Sequence, residues 1–225
     1  VRQAGADVSG QWIIDFRRAA EQSLFTFAVG VLGRTYLTKS LHGPLCAGLQ
    51  STVRKRKLRL YPRFHGKSSI VSQALPCHML IQPEASNVYF PTQPGAETTI
   101  LLCSETEELA TDQLRVIESV FESNTILRGL WPHRVWGGNS KSESKKWNDR
   151  EMIVPRAHEL PDPSVRVAGV DGTITGKHPK VLLKDDLISF KAANSPAVMQ
   201  TAIQWHVASR ALIEGNAEAL EYIIG

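Results

Sequence analysis

Residues 61–68, Tyr-Pro-Arg-Phe-His-Gly-Lys-Ser, join two stretches of opposite periodicity, and that junction restricts the chain to few folds. Before it, residues 56–60 alternate basic and apolar side chains, with Leu58 and Leu60 on one side, as a short strand does. After it, Ser68-Ser69-Ile70-Val71-Ser72-Gln73-Ala74-Leu75 continues as a helix until Pro76 stops or kinks it. A strand that turns through glycine into a helix brings backbone N–H groups and the positive helix end onto phosphate oxygens. The segment matches the phosphate-loop pattern G-x-x-x-x-G-K-[ST] except at its first glycine, where Tyr61 stands. Gly66 then lets the backbone approach the phosphates, Lys67 neutralises the outer two, and Ser68 places its hydroxyl on magnesium. Pro62, Arg63, Phe64, His65 and Ser69 complete the wrap around the nucleotide. Gly-Lys-Ser alone is a common tripeptide; the flanking strand and helix give it weight.

Magnesium requires a carboxylate, and an attacking water requires another to orient it. Val181-Leu182-Leu183 is an apolar run of strand type, and Asp185-Asp186 follow where the carboxyl end of a parallel strand would face the loop from a neighbouring strand. Asp185 is the expected metal-side carboxylate and Asp186 the residue that polarises water. The alternative is a pair of acidic turn residues after a core strand.

These segments, with Ile100-Leu101-Leu102-Cys103-Ser104-Glu105-Thr106 and Gly176-Lys177-His178 between them, resemble the ATPase domain of the large terminase subunit of tailed bacteriophages. The resemblance runs from about His42 to Gly225. It implies an α/β fold: a P-loop NTPase of additional-strand (ASCE) type, a mostly parallel central sheet flanked by helices, with an added antiparallel segment. It implies ATP and Mg2+ as cofactors, Walker A and Walker B roles for the loop and the acidic strand, and hydrolysis that drives double-stranded DNA into a procapsid. Implied partners are double-stranded DNA, a portal protein, a small terminase subunit and further copies in a ring. The implied location is the cytoplasm of an infected bacterial host, transiently at the procapsid portal. By resemblance His42 is an adenine contact, Arg63 stabilises charge during transfer, and Lys177 and His178 line the nucleotide site; on residue type alone, His42 reads as a surface or core histidine. The chain departs from the family at Lys180, Lys184 and Asp186, the last usually a glutamate.

The chain of 225 residues suits one sizeable core, read as a single ATPase domain with a helical lead-in over 11–54 and a P-loop core over 55–225. A nuclease domain is expected elsewhere, and a start at Val1 reads as a piece of a longer protein. A net charge of +4 is compatible with nucleic acid. Cys46, Cys77 and Cys103 form no C-x-x-C pair, so neither zinc nor a disulfide framework is indicated. The longest greasy stretch, 24–32, falls short of the roughly 20 residues of a membrane helix, so no membrane association is expected.

Residues 11–32 carry a helical stripe of Trp12, Phe16, Ala20, Leu24, Phe27 and Val31, expected against the core. A second helix is expected over 41–53. Ser104-Glu105-Thr106-Glu107 reads as a capping box. Residues 137–146 read as an exposed loop, 147–154 and 164–169 as strands, 171–176 as a turn, and Ser195-Pro196 as a helix entry. Arg54-Lys55-Arg56-Lys57 with Arg59, or Lys141, Lys145 and Lys146, would meet DNA phosphates, unless the first run is simply a solvated strand entrance. Arg128, Arg134, Arg150 and Arg156 are candidates for an arginine donated to a neighbouring site. Two other readings stay open: a helicase-like or recombination motor, and a nucleotide-binding domain that does not hydrolyse, suggested by Lys184 and the short Asp186.

Overall fold

The computed structural model of the protein describes residues 8–62, 64–170, 172, 174, 176–189 and 193–225. Helix α1 spans Val8–Gln22, α2 spans Leu24–Thr26 and runs into a π turn Phe27–Val31, and α3 spans Lys39–Gln50. Strand β1 (Arg56–Arg59) precedes the loop, and a π segment Ser69–Ala74 continues as α4 (Leu75–Leu80). Then follow β2 (Ile100–Ser104), α5 (Glu107–Ser123), α6 (Thr125–Leu130), α7 (Ser140–Glu143), β3 (Trp147–Asn148) and β4 (Glu151–Met152). The chain continues through β5 (Val165–Gly169), β6 (Val181–Asp185), α8 (Pro196–Arg210) and β7 (Leu220–Ile224).

The strands form one seven-stranded sheet in the order β1-β7-β6-β2-β5-β4-β3. The first five are parallel and the β3–β4 hairpin is antiparallel to β5, so the protein is an α/β fold with a mostly parallel sheet flanked by helices. All five residues of β2 and of β6 are buried, as parallel strands covered on both faces require. Alternation along β6 sends Val181, Leu183 and Asp185 to one face and Leu182 and Lys184 to the other. The first face meets a thick layer in which Leu24, Phe27, Leu75, Leu80, Leu114, Phe121 and Trp131 are buried. The second meets a thin one, where Leu101, Cys103 and Leu182 share a cluster with Trp205 and Ile213.

Several expectations need correction. Strand β7 lies between β1 and β6, so the loop strand and the acidic strand are not neighbours. Residues 11–32 are not one helix: Ser23 adopts an extended backbone, its hydroxyl accepts from Thr26 N–H at 3.1 Å, and a new helix starts there. Trp12 stacks on Phe16 at 5.4 Å but stays exposed, because the core reaches only the later turns of the stripe. Ser104 does not cap α5. It is held in β2 opposite Gly169, its hydroxyl donates to Asp185 O at 2.8 Å, and Thr106 caps instead. Residues 137–146 contain α7, with the Gly137 and Gly138 N–H groups donating to Glu143 and Ser140 and Ser144 buried. The turn over 171–176 falls partly outside the described residues, since Asp171, Thr173 and Thr175 are not among them. No helix among the described residues is long and apolar enough to cross a membrane.

His78 on α4 shows how the thick layer is tied together. Its Nε2 donates to Ala20 O at 2.8 Å and its Nδ1 accepts from the Tyr89 hydroxyl at 2.7 Å, so one neutral tautomer satisfies both neighbours. Burial lowers its pKa from 6.5 to about 4. The folded protein therefore resists a proton that the unfolded chain accepts below about 6.5, and stability is full above that pH and lost as pH falls toward 4. Denaturant titrations at pH 7.5 and 4.5 should show the wild type losing on the order of 2–3 kcal/mol through this group. In His78→Phe the same interval should have a visibly smaller slope.

Candidate functional site

The carboxyl ends of β2, β6 and β7 meet the turn that enters the helix after β1. Asp185 closes β6 and is 5% exposed. Asp186 then leaves the strand at φ 49°, a left-handed backbone that aspartate tolerates better than most residues. Its N–H donates to Ile224 O at 3.1 Å, and its own carbonyl accepts from Glu105 N–H at 3.3 Å, so the ends of β7 and β2 lock the turn. The loop is anchored the same way: Tyr61 N–H donates to Gly225 O at 2.8 Å.

Within the loop, Gly66 has φ 67° and a Cβ there would lie 2.9 Å from Leu37 Cδ2, so both backbone and space call for glycine. The helix begins at once, with Ile70 N–H donating to Gly66 O at 3.0 Å. Phe64 also has a left-handed backbone, φ 66°, and its ring is fully exposed. His42 is buried beneath the loop. Thr38 N–H donates to its Nδ1 at 2.9 Å, which assigns the proton to Nε2, and Nε2 donates to His65 O at 3.2 Å. Both ring nitrogens are thus used on backbone. Arg63 lies outside the described residues.

Lys67 is drawn to the acidic pair: its ammonium bonds Asp186 Oδ1 and lies 3.8 Å from Asp185 Oδ1. On the other side of Asp185, the buried Ser72 hydroxyl donates to Oδ2 at 2.5 Å. Burial raises the Asp185 pKa; bonds from Ser72 and Ser68 oppose that, the Asp186 charge adds to it, and Lys67 lowers it. Asp185 Oδ1 is buried without a hydrogen-bond partner. A buried carboxylate oxygen without a donor is one that a cation could satisfy, although the Lys67 ammonium 3.8 Å away would have to shift toward other anions. No group of three or more His, Cys, Asp or Glu that could hold a metal exists among the described residues, so a protein-only cage is not what they form. One hydroxyl and one carboxylate match magnesium, which keeps its waters and arrives with phosphates.

Lys184 points to the thin layer and is wholly buried. It donates to Glu221 Oε1 on β7 at 2.7 Å and lies 3.0 Å from His206 Nδ1 on α8. Burial lowers the Lys184 pKa, and Glu221 opposes that. The lysine that interrupts the acidic strand is therefore half of an internal ion pair. Its partner was legible only in combination, as a lone acid in the apolar β7 segment Leu-Glu-Tyr-Ile-Ile.

Other candidates lie elsewhere. Lys177 and His178 sit before β6, at the amino-terminal ends of the strands beside Asp162 and Thr99, so they do not line this site. Arg128 donates to Phe121 O and Trp136 O, Arg134 to Gln82 O, and Arg156 to Leu160 O and Asp162 O, which makes each an internal brace. Arg150 pairs with Glu107 at 2.8 Å and is largely exposed. Cys46, Cys77 and Cys103 are buried, and burial pushes each thiol up to about 12. An apolar recess of about 290 Å³ between β1, β7 and α8 reaches Asp186 and is lined by Leu58, Leu60, Leu187, Ile203 and Ile223.

Compared with protein-family models and with curated proteins, the chain matches none.

The buried ion pair yields a direct test. Lys184→Met leaves the buried Glu221 carboxylate with only the half-exposed Arg56 guanidinium, 3.8 Å from its other oxygen, and should cost about 3 kcal/mol in chemical denaturation. Lys184→Met combined with Glu221→Leu should recover most of that loss, because neither charge is then stranded.

Proposed function

We propose that the chain is a magnesium-dependent ATPase built as a P-loop NTPase, the motor domain of a viral DNA-packaging terminase. The observation that carries the ATPase reading is the convergence of Lys67 and Ser68 with Asp185 and Asp186, more than a hundred residues away in sequence, at the carboxyl ends of parallel strands. The motifs that resemble terminases, and the antiparallel hairpin added to the sheet, support the narrower assignment.

In this reading the loop amides and Lys67 receive the phosphates of ATP, and Ser68 and Asp185 hold Mg2+. Bound magnesium would neutralise charge on the phosphate oxygens. Arriving phosphate competes with Asp186 for the Lys67 ammonium. Once released, the Asp186 carboxylate can hold the attacking water and accept its hydrogen bond. Glu105 and Ile224 fix the backbone of Asp186 while its side chain changes partner. His42 holds the loop carbonyl of His65 from below and so keeps the amides aimed outward.

For double-stranded DNA, the basic run on the edge strand offers Arg54, Lys55, Arg56 and Arg59, while Lys57 turns inward to Leu49 O at 2.7 Å. The alternative group is partly neutralised, since Lys145 bonds Glu159 and Lys146 lies 2.9 Å from Glu151. Arg56 is itself 3.8 Å from Glu221, so Arg54, Lys55 and Arg59 are the better phosphate contacts, and in this reading the working protein acts as a ring in the host cytoplasm and at the portal.

Steady-state phosphate release tests the enzyme. Lys67→Ala and Asp185→Ala should each lower kcat by at least about 100-fold, the scale set by removing one preorganised charge-stabilising group. Equal release by wild type and both variants would sink the ATPase reading and leave a nucleotide-binding domain without turnover. Packaging of DNA in the presence of portal and procapsid separates a terminase from a helicase-like motor.

A further inference from the structure

Ser72 stands one turn beyond Ser68 and has no place in the phosphate-loop pattern, yet it is wholly buried and spends its hydroxyl on Asp185. Its position has a cause in sequence. Pro76 lacks an N–H, and its ring would clash with the carbonyl four residues earlier, which is that of Ser72. The helix answers by widening: Ser69–Ala74 forms a π segment, and Leu75 N–H donates to Ile70 O, five residues back. The helix thereby continues through Pro76 with Ser72 against the end of β6.

The consequence lies in the two oxygens of Asp185. Oδ2 is taken by Ser72, and Oδ1 is left buried, unpartnered and turned toward Lys67. A carboxylate with one oxygen clamped has lost its freedom to rotate, so the other oxygen has a fixed direction.

We propose that Ser72 is a positioning residue for the cation site: its hydroxyl locks the Asp185 carboxylate so that Oδ1 alone is presented to the divalent metal. This rests on the nucleotide reading above and adds to it a residue that no loop motif contains. Partners that orient a metal ligand in this way are worth about 10- to 100-fold in metal affinity.

The test measures Mn2+ directly, by the free-ion paramagnetic resonance signal, with the full chain and a non-hydrolysable ATP analogue. Ser72→Ala should weaken Mn2+ binding about 10-fold. The thermal midpoint should fall, since a buried carboxylate oxygen loses its donor, but binding of the analogue in EDTA should stay close to wild type, which a general loss of structure at the loop would not allow. Unchanged Mn2+ affinity in Ser72→Ala, alongside its loss in Asp185→Asn, overturns the role of Ser72 and leaves the nucleotide site standing. Absence of Mn2+ binding by the wild type with the analogue overturns the nucleotide reading, and this proposal with it. Should Ser72→Ala unfold, Ser72→Cys decides, because it keeps the volume and donates weakly: weakened Mn2+ binding supports the proposal and wild-type affinity overturns it.

Discussion

The Asp185 carboxylate, buried at the end of a strand covered on both faces, is the constraint around which the site is organised. An ionised carboxyl in that position is costly unless bonded or paired. The Ser72 hydroxyl and the Lys67 ammonium meet that requirement, and both come from the helix entry after β1. The loop and the acidic strand are not adjacent, because β7 intervenes. The side chains bridge that gap themselves, and the strand between them contributes Ile224, whose carbonyl fixes the Asp186 turn.

The same strand explains why a lysine is tolerated beside the acidic pair. Lys184 faces away from Asp185, into the thin layer that contains α8, and Glu221 on β7 meets it. The two residues are two positions apart in register, and so on the same face, of adjacent parallel strands, as Lys184 pairs with Ile223 and Leu182 with Glu221. The pair therefore ties β7 to β6 on one face while Asp185 ties β6 to the loop helix on the other. Because the thin layer does not extend over β1, Leu58 and Leu60 remain exposed at 57% and 72% even though they share a face, as their spacing indicates. The buried position in β1 belongs to Lys57, whose ammonium finds Leu49 O and the face of Tyr222 at 4.3 Å. Desolvation lowers its pKa to about 8.

How much of this was legible follows from the range of each interaction. The strand, loop and helix around Gly66, and the strand ending in Asp185, could be read because their signals are local: alternation, a glycine, an apolar run ended by acids. The order of strands could not, since nothing in β1 or β6 says that residues 220–224 will come between them. Ser104 carried a correct-looking capping box, but its hydroxyl was claimed by Asp185 O, a partner 81 positions away. Ser23 broke a helix whose apolar stripe ran through it, because its own side chain supplied a competing cap. Ser72 was hidden for a different reason. Its spacing from Ser68 places both on one helical face, and Pro76 marks the distortion, but the two signals mean something only once Asp185 is known to face them.

The contact between Lys67 and Asp186 bears on what the nucleotide would have to do. The loop lysine is already neutralised by a carboxylate, so under the proposed function an arriving phosphate would replace one anion with another. Asp186 is the more exposed of the two acids, with 56% of its side chain reaching solvent against 7% for Asp185, and so loses less by being set free. Asp185 cannot leave, being held by Ser72 and by burial. The two neighbouring carboxylates are thus divided by environment: the immobile one suits a metal, and the mobile one suits a water that must be held only when phosphate is present. Short as it is, the Asp186 side chain already reaches the loop, since its carboxylate bonds the Lys67 ammonium.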